Sequence, residues 1–213
     1  MTDSAPAHAP AAPAAHDAAD TVTHPDPGDL LRRVAARAAA DRPRLPAPAA
    51  ADVLVRAEAR LGFPLPALLA RLYREVADGG FGPEYHLLPL LDGPGESVVA
   101  GYEQQRAESA ADPDHPSWPA GVVPLLTWGC GMYAAVDCTT PEGRVLLFEP
   151  NPYSGGSWAG CWFEDAPGLA AWLEAWLAGT GWYDEEADLP DELMPRPWPD
   201  AESRLAAAGL TPG

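Results

Sequence analysis

Lysine is absent from this chain of 213 residues; its 13 basic residues are all arginine. With abundant Ala, Pro and Gly, that composition is the mark of a GC-rich coding sequence and says nothing of function. Cysteine is scarce. Cys130, Cys138 and Cys161 are an odd number, which argues against a disulfide framework, and Cys130 and Cys138 are not spaced like zinc ligands. No apolar run is long enough to span a membrane. The N-terminus lacks a basic patch followed by an apolar segment, so no secretory signal is read there. The expectation is a soluble cytoplasmic protein.

Positive charge is missing from most of the chain. Residues 1–75 hold nine acids and nine arginines. Residues 76–213 hold 22 acids against Arg106, Arg144, Arg196 and Arg204, so the whole net charge of −18 lies there. Phosphate backbones would be repelled, which weighs against nucleic-acid binding. An acidic face suits a basic protein partner; it also serves solubility.

What is present is enough for one domain of ordinary size with a core of its own. The eight tryptophans bury large areas. Residues 1–27 are Ala/Pro-rich without hydrophobic periodicity and read as a disordered arm. His8, His16 and His24 recur in it at eight-residue intervals. Metal binding there would cost a flexible segment much entropy, so chance spacing is the better reading. Residues 28–48 read as a helix and a Pro-rich linker, 49–182 as the domain, and 183–213 as an acidic, Pro-rich tail partly ordered by Trp198.

Asp29 is placed as the cap of a helix from Leu30 to about Ala40, with Leu30, Leu31, Val34 and Ala38 on one stripe. Asp52 is placed as the cap of a second, Val53 to Leu61, ended by Gly62. Leu65, Leu68, Leu69, Leu72, Tyr73 and Val76 follow i, i+3, i+4, i+7, i+8, i+11, which predicts a third. Gly79 and Gly80 are expected to stop it, one of them left-handed. Tyr85–Leu91 is short, apolar and bounded by Pro and Gly, which predicts a strand. A polar helix is expected over 96–109, with Gly101 counting against it. Strands are expected at Val122–Trp128, Met132–Cys138, Arg144–Glu149 and Cys161–Phe163. Asp165 is placed as the cap of a closing helix with Leu169, Trp172, Leu173, Trp176 and Leu177 on its apolar face and Gly179 at its end. Helices, then strands with short connections, then a helix make an α+β fold. The sheet is expected to be mainly antiparallel, of about four to six strands, packed with the N-terminal helices and one C-terminal helix.

The stretch EARLGFPLPALLARLYREVADGGFGPEYHLLPL carries a resemblance. It is similar to the signature of the SUKH superfamily, which includes the fungal cell-wall-assembly regulator. Glu58, Leu61, Gly62, Leu65, Pro66, Leu72, Tyr73, Gly79 and Gly80 match the pattern, and Asp78 stands where the family often has Asn. WPAGVVPLLTWGCGMYAAVD and the helix after CWFEDAPG resemble later parts of the family, so the resemblance spans about residues 50–180. It implies a non-enzymatic, partner-binding fold. Bacterial members commonly act as immunity proteins that bind and neutralise toxins, often nucleases. Such toxins are often basic, so an acidic inhibitor would steer onto them. The same fold used as a regulator or scaffold is the alternative.

Chemistry of its own is weakly signalled. GGFG follows a helix and lacks a following Lys-Ser/Thr, so it is not a phosphate-binding loop. His86 and His115 have no motif linking them to a cysteine. Glu149, Glu164 and Asp165 near Trp158 and Trp162 allow a carboxylate-dependent hydrolase as a third reading. No cofactor or metal is expected. The candidates for a partner interface, chosen by position and side-chain type, are Trp128, Tyr133, Glu149, Tyr153, Trp158, Glu164 and Asp165. Tyr153 and Trp158 stand out because the loop NPYSGGSWAG sets them among flexible glycines, and exposed Tyr and Trp are favoured interface anchors; the alternative, favoured for Trp158, is that the rings fold back over the sheet. Trp172 and Trp176 repeat with the helix period and are read as core. Arg71 and Arg74 are read as solvated.

Overall fold

A computed structural model describes Met1 and residues 27–91, 93, 95–184 and 194–208. Most of the expected arm, with His8, His16 and His24, lies outside the described residues.

Three helices come first: α1 (Pro27–Asp41), α2 (Ala51–Leu61) and α3 (Ala67–Glu75). The stripe Leu30, Leu31, Val34 and Ala38 of α1 is buried. Asp29 does not cap α1, because the helix begins at Pro27. It sits in the first turn, where a carboxylate meets the helix dipole, and bonds Arg32 and Arg33 at 2.9 Å each. Asp52 likewise lies inside α2, whose cap is Ala50 with no side-chain bond. Gly62 ends α2 in the left-handed region, as expected.

Glu58 has a specific role beside that turn. Its Oε1 accepts the Leu65 N–H at 3.0 Å, tying α2 across the chain reversal to the start of α3. This gives the Glu-to-Leu spacing of the sequence pattern a physical cause. Glu58→Ala is expected to lower the unfolding free energy by about 1.5 kcal/mol, since it orphans a part-buried donor. Urea denaturation measures it, and an unchanged midpoint would remove that role.

α3 ends at Glu75, ahead of the double glycine, with Val76 as its C-cap. Gly79 and Gly80 are both left-handed, with φ of +76° and +75°. They therefore shape the loop beyond the helix and do not stop the helix itself. At Gly79 a Cβ would stand 2.7 Å from the backbone of Leu87 and Leu88, so the loop closes only around a glycine. The closed loop holds the following segment. Gly80 N–H donates to Leu87 O, Leu87 N–H to Phe81 O, Leu90 N–H to Asp78 Oδ1 and Tyr73 Oη–H to Leu88 O. Tyr73 is fully buried, and burial pushes its hydroxyl pKa far up.

Those bonds correct the strand expected at Tyr85–Leu91. Tyr85 lies in a turn, His86 is left-handed, and Pro89 has no N–H to give. A single ladder-like bond, Leu88 N–H to Leu125 O at 2.9 Å, reaches the sheet. The segment is extended but its hydrogen-bonding groups are engaged elsewhere.

Helix α4 (Val98–Ala111) is capped by Ser97, whose hydroxyl accepts Ala100 N–H. Gly101 does not interrupt it. It lets the helix lie against the sheet: a Cβ there would be 3.0 Å from the Pro124 ring. The sheet follows as a meander, with every neighbouring pair antiparallel: β1 (Val122–Gly129), β2 (Met132–Asp137), β3 (Arg144–Phe148), β4 (Trp162–Ala166) and β5 (Arg196–Pro197). A 3-10 turn, Trp158–Cys161, precedes β4, and α5 (Leu169–Ala178) and α6 (Ala201–Ala208) complete the described elements. The fold is α+β, with helices before the sheet and a C-terminal helical part, as expected.

Asp165 does not cap α5, because β4 runs through it to Ala166 and Gly168 takes the cap position. Val145 faces Ala166 while Leu146 faces Glu164, so Asp165 is the extra residue of a β-bulge.

The sheet buries both faces. On one, Leu125, Ala134, Val136 and Val145 pack under α1, α2, α3 and α5, with Trp172 and Trp176 inside as expected. On the other, Trp118, Phe148, Trp162 and Trp198 form an aromatic layer closed by Leu205 of α6. The tail is thus ordered over 194–208. Trp198 is buried, and its backbone N–H donates to Trp162 O at 2.9 Å.

Candidate partner-binding surface

The aromatic layer is built around Trp118. Its indole N–H donates to Val122 O at 2.7 Å, which fixes the ring over β1. Tyr133, Phe148 and Trp162 meet it edge-on, with centroids at 5.7, 5.3 and 4.8 Å. The loop that carries Trp118 is bound to α4. Ser109 Oγ accepts the Ser117 and Trp118 N–H groups, and Arg106 donates to Trp118 O.

Outside this floor the loop Pro150–Cys161 presents its rings. Tyr153 stacks on Trp158 at 3.7 Å with planes 5° apart. Ser157 accepts Ala159 N–H and donates to Glu202 of α6 at 2.7 Å. The rings are therefore held as a platform on a pinned turn.

Beside the platform runs a groove of about 510 Å³. Gln104, Gln105, Glu108 and Asp112 of α4 and its C-cap form one wall; Tyr133, Phe148 and Trp158 form the other. Burial raises the Tyr133 hydroxyl pKa, and the neighbouring Glu96 charge adds to it. Burial also raises the Glu96 carboxyl, against a lowering by the facing Tyr133 hydroxyl. A second hollow of about 350 Å³ adjoins through His115 and is lined by Asp114, Ser157, Glu202 and Leu205.

The seven sequence candidates separate in space. Tyr133, Tyr153 and Trp158 come together at the groove. Glu149 stands at the end of β3, where its Oε1 accepts Asn151 N–H at 2.8 Å and holds the turn into the loop. Glu164 pairs with Arg144 at 3.6 Å. Trp128 stacks on Tyr183 at 4.9 Å and meets Tyr85 and Trp182 edge-on, in a separate cluster.

Asp165 belongs near that second cluster. Its Oδ2 accepts the Trp172 indole N–H at 3.0 Å. Trp182 faces the carboxyl outside hydrogen-bond geometry. The residue keeps some exposure, but its carboxyl is enclosed, and burial pushes its pKa up to about 6 against the lowering from Trp182 and Trp172.

These placements bear on catalysis. Glu149, Glu164 and Asp165 each have a different partner, and the Asp165 carboxyl is turned to α5, away from Trp158. Glu164 and Asp165 line one hollow of about 420 Å³, with Glu149 outside its lining; there Glu164 is paired with Arg144 and Asp165 holds the Trp172 indole. His86 lies 3.1 Å from Arg42 and His115 3.4 Å from Asp112, neither beside a thiol. The three cysteines are free, Cys130 exposed and Cys161 buried. Among the described residues no group of three or more His, Cys, Asp or Glu is arranged to hold a metal ion, and no helix is long and apolar enough to cross a membrane.

The acidic wall of α4 was not singled out in the sequence. Its signal was the stripe Gln104, Glu108, Asp112 at four-residue spacing, readable as a solvated face. Trp118 was missed as the centre of the floor because its environment comes from strands far along the chain.

Comparison with curated proteins finds no match. The family model of the SMI1 / KNR4 family (SUKH-1) matches residues 48–175, which is more than half the chain. That span runs from the segment before α2 to α5. It leaves out α1, β5 and α6, which nonetheless pack onto it. The helix–Gly-Gly–sheet order agrees with that match, and the chain belongs to the SMI1 / KNR4 family (SUKH-1).

Proposed function

We propose that this protein is a non-enzymatic inhibitor of the immunity type, which binds and neutralises a cognate toxin that is itself a basic protein, such as a nuclease. The observation that carries the reading is the charge separation within a SUKH-1 chain. All of the −18 lies in residues 76–213, which supply the sheet and its aromatic face. A net charge of that sign accelerates encounter with a basic partner and repels nucleic acid. The acidic chain can occupy a cleft shaped for phosphates.

Capture of partners by the tagged full chain from its native lysate tests this, with washes of rising salt. The expected partner is a basic toxin domain, released progressively as salt screens the contact. Recovery of cell-wall or signalling proteins, with release indifferent to salt, would replace this reading with the regulator or scaffold use of the family.

A further inference from the structure

A steering field does not say where a partner docks. We infer that the groove between α4 and the β2–β3 aromatic face receives an arginine-bearing basic segment of the partner protein. This inference rests on the inhibitory reading above.

The lining is acidic, aromatic and without arginine. Glu108 and Asp112 stand on one wall with the amides of Gln104 and Gln105; Tyr133, Phe148 and Trp158 stand on the other. Asp114 and Glu202 extend the acidic lining into the adjoining hollow. The arginines of this region are engaged elsewhere. Arg106 turns to Trp118 O and Ala208 O, Arg204 binds Asp137, and Arg144 lies between Glu164 and Asp200. The groove acids meet soft partners instead: Gln104 bonds Glu108 at 2.9 Å, and His115 approaches Asp112 at 3.4 Å. Their charge is left for a cation from outside.

The aromatic wall selects among cations. A guanidinium is planar, stacks on an indole and spans a carboxylate with two parallel donors, whereas an ammonium is a hydrated point charge. Trp158 is already immobilised by Tyr153 and by the pinned 3-10 turn, so an incoming arginine would order little else.

Binding of labelled nona-arginine and nona-lysine to the full chain tests the inference. Nona-arginine is expected to bind at least about threefold tighter than nona-lysine, because the stacking contribution is lost with the ammonium. E108Q/D112N, which changes only groove acids, and Trp158→Ala are each expected to weaken nona-arginine about tenfold. E84Q/E142Q removes the same number of exposed charges elsewhere and is expected to stay within about twofold. Equal affinity for the two peptides, or equal loss in E84Q/E142Q, would overturn the groove as the site. The inhibitory reading is separable from it. Toxin neutralisation that persists undiminished in E108Q/D112N would overturn the groove and leave inhibition standing. Groove binding by a chain that neutralises no captured toxin would do the reverse.

Discussion

Arg204→Ala is expected to lower the unfolding free energy by about 3 kcal/mol, because it strands a buried carboxylate. Asp137, at the end of β2, is fully buried. Arg204 of α6 meets it with both terminal nitrogens, at 2.9 Å to Oδ2 and 3.1 Å to Oδ1. The same guanidinium donates to Ala120 O and Thr139 Oγ1, and lies 5.4 Å from the Trp198 ring centroid. Burial raises the Asp137 carboxyl pKa, but bonds from Arg204 and Thr139 outweigh it and hold it below the ordinary value. The pair's contribution is therefore present above the pKa of an unfolded aspartate and is lost as pH falls through the lower, folded value. Without the arginine, Thr139 alone serves the charge. Arg204→Lys loses the two-pronged geometry and should retain only part of the stability. Asp137→Asn combined with Arg204→Ala should recover part of the loss, because no charge is then stranded. Urea unfolding of the four proteins measures this. A single alanine variant within about 0.5 kcal/mol of the parent would mean that α6 is held by its apolar contacts alone.

Asp165→Asn should act in the opposite direction and stabilise the protein at neutral pH. The folded carboxyl titrates at about 6, above the ordinary aspartate range, because burial among Trp172, Trp182 and Tyr183 disfavours its charge. An acid with a raised folded pKa binds its proton more tightly in the native state. Its charged form therefore destabilises the fold at high pH, and the penalty is relieved as pH falls through 6 towards the unfolded value near 4. Two pKa units set the full penalty at about 3 kcal/mol, reached above pH 7. Asparagine keeps an acceptor for the Trp172 indole and carries no charge. The variant should be the more stable protein at pH 7.5, by about 2–3 kcal/mol, and should converge on the parent below about pH 4. Unfolding curves at pH 7.5, 6 and 5 measure the difference. A gap that does not shrink with acidification would show that the carboxyl is not the cause.

How much of this was legible in the sequence follows from where the determining contacts lie. Helices α1, α3 and α5 are read from their apolar periods because one stripe of each is buried, and β1, β2 and β3 from apolar runs between glycine turns. Tyr85–Leu91 looks like a strand by the same signals, but Asp78 and the Gly79–Gly80 loop claim its hydrogen bonds. Asp165 looks like a helix cap because the bulge that keeps it in β4 depends on its pairing with β3. The last strand has two residues and no period to read. Helix α6 docks through Arg204 and Asp137, 67 positions apart in the chain. At the candidate site, Tyr153 and Trp158 are legible as rings among glycines. The opposing acidic wall is not, because a polar helix face reads as solvated until the sheet brings a groove beside it.

Toxin neutralisation in living cells tests the central claim most directly. The partner captured by this chain would be expressed under tight control, alone and together with the chain, and growth followed. Inhibition predicts that the partner alone arrests growth, that co-expression restores it, and that the effect needs no catalytic turnover, so it titrates with the ratio of the two proteins. Growth arrest that persists in the presence of an excess of the chain, with the complex demonstrably formed, would contradict it.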